Sequence, residues 1–512
     1  MHLKEKDVSR LLESLSKAER KSLTLFLQAL PQKKKNYLNL LESIKKKGGL
    51  ATTPPSGSPQ ALTNAKRALY RNALKSLRNH HDEKSIDILI SNYLVDIELL
   101  YDLGLPDQAL VRLQKAYKKA SQYEKHGLLL QIFEWERKLN IVLNRPCRSN
   151  QEIEKEEQTV LSQLNETLRY KNAFAEIKLM KRRYGYIKNL PKERQLMKKL
   201  IRQLPALTAH ASQKATYYYH HLLAIYNWML FNHTEGYKHS RRLLSEDMRE
   251  ILSNEFLDGV LEHITSCACV VRFEEAMGCM DIADAFIAEK GFDQSPTFLL
   301  RTFYFKIIYK LLILYYSGDL IRLQATVEEA ENKLVHYDKQ FSTEMKQVIY
   351  SNLKNAYAVM GMVDKADKIV ESTLTHGLKA TRKDMYDDAM LFKLFLLIQT
   401  ETYVLLPSAA LAAQRYFKQF IKNGKVSQET EYEIALLFRK DCNWHDKASK
   451  DAILKQAKDI FRRKIENTTG LDNFQEFYTY FIIWIDSLIN GRPFHEEAKV
   501  WYHSFNSRKT IK

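Results

Sequence analysis

The stretch HITSCACVVRFEEAMGC, residues 263–279, holds the residue types that come closest to a metal site. His263 and Cys267 are one helical turn apart, and Cys269 and Cys279 follow. Zinc requires four ligands that converge on one point. Cys269 lies about 200° around a helix from Cys267 and therefore points away from it. We interpret these cysteines as buried thiols that behave as small apolar side chains, and we predict neither a metal nor a cofactor.

Common signatures of phosphate binding and hydrolysis are missing from the sequence. It contains no G-x-x-x-x-G-K-[ST], G-x-G-x-x-G, G-x-S-x-G or H-E-x-x-H motif. NGKVS, residues 423–427, lacks the leading glycine of a phosphate loop, and His495 with Glu496 lacks a second histidine one turn on. The paired histidines of YYYHH (217–221) and RNHHDE (78–83) suit helix contacts and a helix end. We therefore predict a protein that is not an enzyme.

A basic helix is predicted over residues 65–80, AKRALYRNALKSLRNH. Its cations Arg67, Arg71, Lys75 and Arg78 fall within about 80° of one another around the helix axis. A solvated cationic face is one interpretation, and an anion-binding or nucleic-acid-binding face is the other. A helix-turn-helix motif is disfavoured, because the stretch before this helix is much longer than the few residues of such a turn.

Positive charge is concentrated at the N-terminus. The chain of 512 residues has a net charge of +18. Residues 1–80 hold 17 Lys and Arg against 5 Asp and Glu, a net charge of +12. This asymmetry concerns the N-terminal segment rather than the whole chain: a solvated face is the favoured interpretation, and nucleic acid, an acidic protein or a membrane surface are the alternatives.

The segment NLKNAYAVMGMVDKADKIVESTL, residues 352–374, predicts two helices joined at Gly361. Apolar residues recur at helical spacing on both sides of this glycine, which accepts a left-handed turn because it has no Cβ. Ala366, five residues later, is small where the two helices approach. A glycine with the same surroundings predicts further copies at Gly104 with Ala109, Gly278 with Ala283, Gly318 with Leu323, and, as a close-approach residue, Gly236.

This pattern resembles a tetratricopeptide repeat, in which leucine, tyrosine, glycine and alanine markers fall in the same order. Three features differ from that family: Lys354 stands where a glycine is usual, no proline closes the unit, and the glycines lie 40 and 43 residues apart rather than about 34. The chain is also similar to bacterial helical-repeat proteins that have no assigned function. The resemblance implies an all-α fold, a right-handed α-solenoid of stacked antiparallel helix pairs, preceded by a small basic helical segment.

Four segments are predicted along the chain. Residues 1–47 form the basic helical segment, in which Ser16–Glu19 (SKAE) is a capping box, and the Gly-, Pro- and Ser-rich residues 48–61 form a linker. Residues 62–406 form the helical array, and residues 407–512 form a helical extension that caps it. The low numbers of glycine (16) and proline (11) favour helices joined by short turns.

The chain is predicted to be cytoplasmic. Its charged N-terminus lacks a secretory signal, and no apolar stretch approaches the roughly 20 residues of a membrane span. Five cysteines in 512 residues do not form a disulfide framework, which favours a reducing compartment.

The favoured function is a scaffold or adaptor that binds a protein or peptide partner in the concave groove of the array. By resemblance, Asn352 and Asn355 occupy positions where tetratricopeptide repeats hold a ligand, while an exposed polar face is the alternative interpretation. Arg272 and Glu98 are predicted on the comparable face of their own pairs. The alternative function is a regulator that contacts nucleic acid through its basic N-terminal segment and senses a ligand through its helical array.

Overall fold

The computed structural model describes residues 8, 11–12, 14–30, 59–81, 85–144, 148–187, 191–292, 295–375, 383–422, 428–469 and 475–510. These residues form 22 α-helices, and no β-strand occurs among them. The predicted all-α class is thereby confirmed. No helix within these ranges has the length and apolar character needed to cross a membrane.

Residues 1–164 form the first of two compact units, which we call unit 1. It contains α1 (Lys17–Gln28), α2 (Pro59–His80), α3 (Ile86–Asp102), α4 (Pro106–Gln122), α5 (His126–Leu143) and the first part of α6 (Asn150–Tyr184). The predicted capping box is confirmed, because Ser16 and Glu19 exchange side-chain and backbone hydrogen bonds at the start of α1. One apolar core joins α1 to α2, and a second is shared by α3, α4 and α5.

Residues 165–512 form the second unit, unit 2, which begins with the remainder of α6. Its other helices are α7 (Pro191–Arg202), α8 (Gln213–Met229), α9 (His233–Arg241), α10 (Glu246–Ile251), α11 (Ser253–Cys269), α12 (Phe273–Glu289), α13 (Pro296–Ser317), α14 (Leu320–His336), α15 (Thr343–Val359), α16 (Val363–Thr375), α17 (Lys383–Gln399), α18 (Leu406–Lys422), α19 (Glu429–Phe438), α20 (Lys447–Thr469), α21 (Glu476–Asn490) and α22 (Phe494–Thr510). One continuous apolar core runs through the unit.

Part of the predicted organisation falls outside the described residues. Residues 48–58 of the predicted linker lie outside the described part. Its last residues, 59–61, belong to α2, which begins at Pro59. Cys147 and residues 423–427 also lie outside the described part.

A single type of turn joins the helix pairs of both units. At each of seven turns one residue is left-handed, with φ between +48° and +74°. The N–H of the next residue donates to the carbonyl five residues before it, at 2.8–3.1 Å. This six-to-one bond is typical of a Schellman helix end. The left-handed residues are Gly104, Glu124, Phe231, Val271, Gly318, Gly361 and Glu401.

The residue five positions after each left-handed residue is buried. These residues are Ala109, Leu129, Gly236, Ala276, Leu323, Ala366 and Leu406. At Gly236 a Cβ would lie 3.3 Å from the carbonyl oxygen of Ala224, in agreement with the predicted close approach. Each turn therefore fixes both the end of one helix and the point where the next helix enters the core.

The predicted turn at Gly278 is wrong. Gly278 lies inside α12, and the chain turns at Val271, which is left-handed with φ +56°. The true pair at this turn is thus Val271 with Ala276 rather than Gly278 with Ala283. Because valine gives no sign of a left-handed residue, the sequence pattern selected the next glycine instead. The turns of unit 2 lie 40 to 47 residues apart when Val271 replaces Gly278.

Gly318 differs from the other left-handed residues because the C-terminal helix crosses it. A Cβ at Gly318 would overlap the carbonyl oxygen of His495 and lie 2.6 Å from Cγ of Lys499, both on α22. A Cβ at Gly361 would meet nothing within 4 Å, although its φ of +74° resembles the +70° of Gly318. A substitution at Gly361 therefore reports the cost of backbone strain alone, whereas the same substitution at Gly318 adds the cost of the contact with α22.

We predict that Gly318→Ala destabilises unit 2 more than Gly361→Ala. Both substitutions place a Cβ in a left-handed conformation, at about 1–2 kcal/mol. Gly318→Ala also overpacks the contact with α22, which adds about 1–3 kcal/mol. Urea unfolding followed by tryptophan fluorescence measures both values. Equal losses of stability would show that α22 does not lie against this turn.

Candidate partner-binding face

The predicted groove residues share a fixed place relative to the turns. Asn355 and Asn352 lie six and nine residues before Gly361, and Glu98 and Val95 lie six and nine residues before Gly104. We call residues six and nine before each left-handed residue the inner positions. Being three apart, they lie on one face of the first helix of each pair.

Arg272 does not occupy an inner position. Its predicted place depended on a turn at Gly278, and with the turn at Val271 it is the N-cap of α12. Its guanidinium lies 5.0 Å from the ring centroid of Tyr237 and donates to Glu275 Oε2 at 3.4 Å. The inner positions of α11 are Glu262 and Thr265, and both are buried.

The inner positions of α15 and α17 are covered by α21 of the same chain. The Tyr480 hydroxyl donates to the backbone carbonyl of Asn355 at 2.9 Å. Trp484 lies 4.7 Å from Phe392 and 5.5 Å from Phe395 between ring centroids, and these two phenylalanines are the inner positions of α17. In this part of unit 2 the face that resembles a ligand groove is therefore occupied by the protein itself.

The two predicted asparagines are half-buried and bonded within the chain. Asn352 Nδ2 donates to the carbonyl of Val348 at 2.9 Å, and Asn355 Nδ2 lies 3.5 Å from the Tyr315 hydroxyl. A partner that used Asn355 would have to replace its contact with Tyr480.

Helix α22 packs beside two earlier turns, at residues two positions from Val271 and from Gly318. Tyr502 stacks on Phe273 with ring centroids 5.1 Å apart, and Trp501 lies 5.3 Å from Tyr316. Aromatic side chains bury large apolar areas, so these contacts stabilise the docked helix. At the inner positions of α11, α6 provides a polar contact instead: Lys181 Nζ donates to both oxygens of Glu262 at 3.2 Å.

Lys354, where a repeat of the tetratricopeptide type usually has glycine, forms a buried ion pair. It is 2% exposed, its ammonium group bonds Asp388 of α17, and it lies 4.0 Å from the ring centroid of Phe392. Burial lowers the pKa of Lys354, while Asp388 acts in the opposite direction. This pair fixes α15 against α17 directly beside the region that α21 covers.

On α3 the equivalent face is exposed. Val95 is 53% exposed, and Leu99 and Leu103, each four residues further on, are 56% and 72% exposed. Glu98 and Asp102 are also exposed on this side of the helix. The opposite side, with Ile90, Leu94 and Ile97, is buried against the core of unit 1. We call Val95, Glu98, Leu99, Asp102 and Leu103 the α3 face.

The predicted cations of α2 all lie in solvent. Arg67, Arg71, Lys75 and Arg78 are exposed, and none of them forms an ion pair with another described residue. The other side of α2 packs on α1 through Leu69 and Ala73. The predicted separation of a cationic face from an apolar face is confirmed.

A compact polar cluster lies at the start of α12. His263 Nε2 lies 3.2 Å from Glu275 Oε1 and 3.4 Å from Cys267 Sγ, and these three ligand-type atoms lie within 4.8 Å of one another. Burial lowers the pKa of His263 and raises the pKa of the Cys267 thiol. The sequence motif suggested His263 and Cys267 but not Glu275, which belongs to the next helix.

A buried acid supports α21 from its other side. Glu431 of α19 is 5% exposed and accepts a hydrogen bond from the Tyr478 hydroxyl of α21 at 2.8 Å. Its second oxygen, Oε2, has no hydrogen-bond partner among the described residues. Burial is the main cause that raises the pKa of Glu431 to about 7, with Asp387 acting in the same direction and Lys464 against it.

Comparisons with protein-family models, curated proteins and solved structures give no match to this chain. Its function is therefore inferred from the placement of its own residues.

We predict that Glu431→Gln stabilises unit 2 at about pH 8 and has little effect at about pH 5. The unfolded carboxyl ionises near 4.5 and the folded one near 7, so the folded chain holds the extra proton between these values. Stability therefore falls as pH rises from 4.5 to 7, and the cost persists above 7. Glutamine removes this cost, which is about 3 kcal/mol.

Urea unfolding of the wild type and Glu431→Gln at the two pH values measures the difference. The control is Asp441→Asn, because Asp441 is an exposed acid in the loop after α19. This substitution should change the free energy of unfolding equally at both pH values. A stabilisation by Glu431→Gln that does not depend on pH would contradict the raised pKa.

Proposed function

We propose that this protein is an interaction scaffold whose helix pairs stack as a right-handed α-solenoid and whose α3 face binds an amphipathic helix of a protein partner. The observation that carries the proposal is the exposure of Val95, Leu99 and Leu103. At the inner positions of α15 and α17 the chain's own helix α21 is bound, whereas at α3 the same positions face solvent.

Helix α21 is a guide to the kind of ligand that such a face accepts. It is a mainly apolar helix, buried on most of its sides, and its aromatic side chains contact the first helices α13, α15 and α17 of consecutive pairs. Helix-in-groove recognition uses apolar anchors of this kind at helical spacing. On α3 the anchors Val95, Leu99 and Leu103 are spaced by four, so a partner helix can lie along them.

The charge of the α3 face favours a partner with basic residues beside its apolar stripe. Glu98 and Asp102 flank the three apolar side chains, and neither forms an ion pair with another described residue. Charges at the edge of an interface mainly increase the association rate, and their effect decreases as the salt concentration rises. The partner is therefore expected to be a cationic amphipathic helix.

We predict that Leu99→Asp lowers partner affinity by about tenfold or more, because a buried anchor at an interface commonly contributes at least 1.4 kcal/mol. The matched control is Ile321→Asp on α14, which is also an exposed apolar residue, 85% exposed. A photo-crosslinking residue at position 99, with position 321 as control, first identifies the partner segment. Calorimetry with the corresponding synthetic helix then compares both Asp variants.

Capture at position 99 alone, followed by loss of binding in Leu99→Asp but not in Ile321→Asp, supports the proposal. Equal capture at both positions, or unchanged affinity of Leu99→Asp, contradicts it.

Nucleic-acid binding through α2 is a second candidate function, favoured by the exposed cations without ion pairs on one face. When cationic side chains neutralise phosphates, the affinity falls steeply as the salt concentration rises. In a plot of the logarithm of the binding constant against the logarithm of the salt concentration, each neutralised phosphate contributes a slope of about −0.9. We predict that Arg71→Glu with Lys75→Glu reduces both the affinity and this slope.

Fluorescence anisotropy with a labelled duplex and a labelled single strand, over a range of salt concentrations, tests this function. The double variant Lys115→Glu with Lys118→Glu on α4 is the control for net charge, since both lysines are exposed. The same loss of nucleic-acid affinity in both double variants, or no nucleic-acid binding by the wild type, excludes a specific role for α2.

A further inference from the structure

The cluster of His263, Cys267 and Glu275 in unit 2 has the chemical composition of a transition-metal site. His263 and Cys267 are one turn apart on α11, and Glu275 is in the first turn of α12. Imidazole nitrogen, thiolate sulfur and carboxylate oxygen are all zinc ligands. The two helices are joined by the left-handed turn at Val271, which brings the three side chains together.

The distances between the ligand atoms suit one shared metal ion. Tetrahedral zinc with bonds of about 2.3 Å to sulfur and about 2.0–2.2 Å to nitrogen and oxygen holds its ligand atoms roughly 3.3–3.6 Å apart. The observed separations from His263 Nε2 are 3.4 Å to Cys267 Sγ and 3.2 Å to Glu275 Oε1. Two of the three separations are therefore already near the spacing that the ion requires, and the Cys267 and Glu275 ligand atoms lie within 4.8 Å of each other.

The hydrogen-bond network around His263 allows a tautomer in which the Nε2 lone pair faces the carboxylate. The Ser240 hydroxyl, which is fully buried, donates its one proton to the carbonyl of Tyr237 at 3.0 Å. With this proton placement His263 Nδ1 donates to Ser240 Oγ at 2.9 Å; in the other tautomer Ser240 donates to Nδ1, and Nε2–H donates to Glu275 Oε1. In the first tautomer Nε2 is a bare acceptor that faces a Glu275 oxygen, another acceptor, and this is the form that a metal ion would select. A cation between these two atoms removes the repulsion.

Hydrogen bonds from neighbouring residues hold His263 and Glu275 as they would hold the ligands of a metal ion. Ligating histidines usually donate their other ring N–H to an oxygen, and ligating carboxylates are themselves hydrogen-bonded. Here Ser240 Oγ lies 2.9 Å from His263 Nδ1, where it can receive the ring N–H, while the Tyr237 hydroxyl donates to both oxygens of Glu275 at 2.9 and 3.0 Å. Arg272 adds a weaker contact to Oε2 at 3.4 Å.

We propose that His263, Cys267 and Glu275 bind one divalent zinc-like ion that fastens α11 to α12. A thiolate and an imidazole select zinc or cobalt over magnesium and calcium, which prefer oxygen ligands. Among the described residues no fourth histidine, cysteine or acid joins the group, so the fourth position is left for water. Glu275, whose side chain is 32% exposed, opens the site to solvent.

The proposal is tested with the untagged full chain, stripped of metal by a chelator and titrated with Co²⁺ under reducing conditions. One equivalent of Co²⁺ bound through a thiolate gives a sulfur-to-cobalt charge-transfer absorption in the near ultraviolet, and Zn²⁺ displaces it. Zinc affinity then follows from competition with a chromogenic chelator. Absence of the charge-transfer band, or binding of Co²⁺ without it, overturns the proposal.

Variants connect the signal to the named side chains. Cys267→Ala removes the band, whereas Cys279→Ala, a buried thiol outside the group, retains it. Glu275→Gln keeps the band and weakens zinc binding, and this half-exposed position tolerates substitution if Cys267→Ala fails to fold. Ser240→Ala weakens zinc binding by about 10- to 100-fold through the lost support of His263. A band lost in Cys279→Ala but kept in Cys267→Ala, or zinc affinity unchanged in Glu275→Gln, contradicts the assignment.

Discussion

A backbone hydrogen bond from the residue after each left-handed position to the carbonyl five residues earlier determines the layout of this chain. It ends one helix, starts the next, and sends the residue five positions on into the core. Because the bond has the same form at seven turns, residues at the same distance before each turn lie on the same side of their helices. The α21 contacts at Phe392 and the α3 face both lie on that side, the first buried and the second exposed.

The same inner face meets different surroundings in the two units. In unit 2, α6 contacts it through Lys181, and α21 covers it at Asn355, Phe392 and Phe395. In unit 1 the equivalent face of α3 leaves leucine and valine side chains in solvent. Apolar side chains aligned on one face are a common mark of an interaction site. We therefore infer that the partner binds at α3, and that self-occupation reserves the inner face of unit 2 for stabilising the fold.

Sequence patterns predicted the helices and several turns but not the complete repeat. The turns at Gly104, Gly318 and Gly361 were predictable because glycine signals a left-handed residue. Glu124, Phe231, Val271 and Glu401 adopt the same conformation at a strain cost of about 1–2 kcal/mol, and their residue types do not signal it in the sequence. The displaced turn at Gly278 misplaced Arg272. It also concealed that Glu275 starts a helix beside His263, so the sequence pattern placed His263 only with cysteines and predicted no metal.

The cover of the inner positions could not be predicted from sequence patterns, because it depends on contacts between residues far apart in the chain. Spacing along one helix predicted the cationic face of α2, because that face depends on local periodicity alone. Cover by a distant helix has no local signature: Tyr480 and Asn355 are 125 residues apart. For this reason the asparagines matched the expected groove positions, while the sequence left open whether the C-terminal helices cap the array or fill that groove.

Hydroxyl-radical footprinting of the intact protein tests this account most directly, since it reports the solvent exposure of individual side chains. After correction for intrinsic reactivity, Leu99 and Leu103 should be oxidised almost as readily as in the unfolded chain. Phe392, Phe395 and Trp484 should be strongly protected. Equal protection of both sets would show that the α3 face is covered, and strong oxidation of Phe392 and Phe395 would show that α21 does not occupy the inner face.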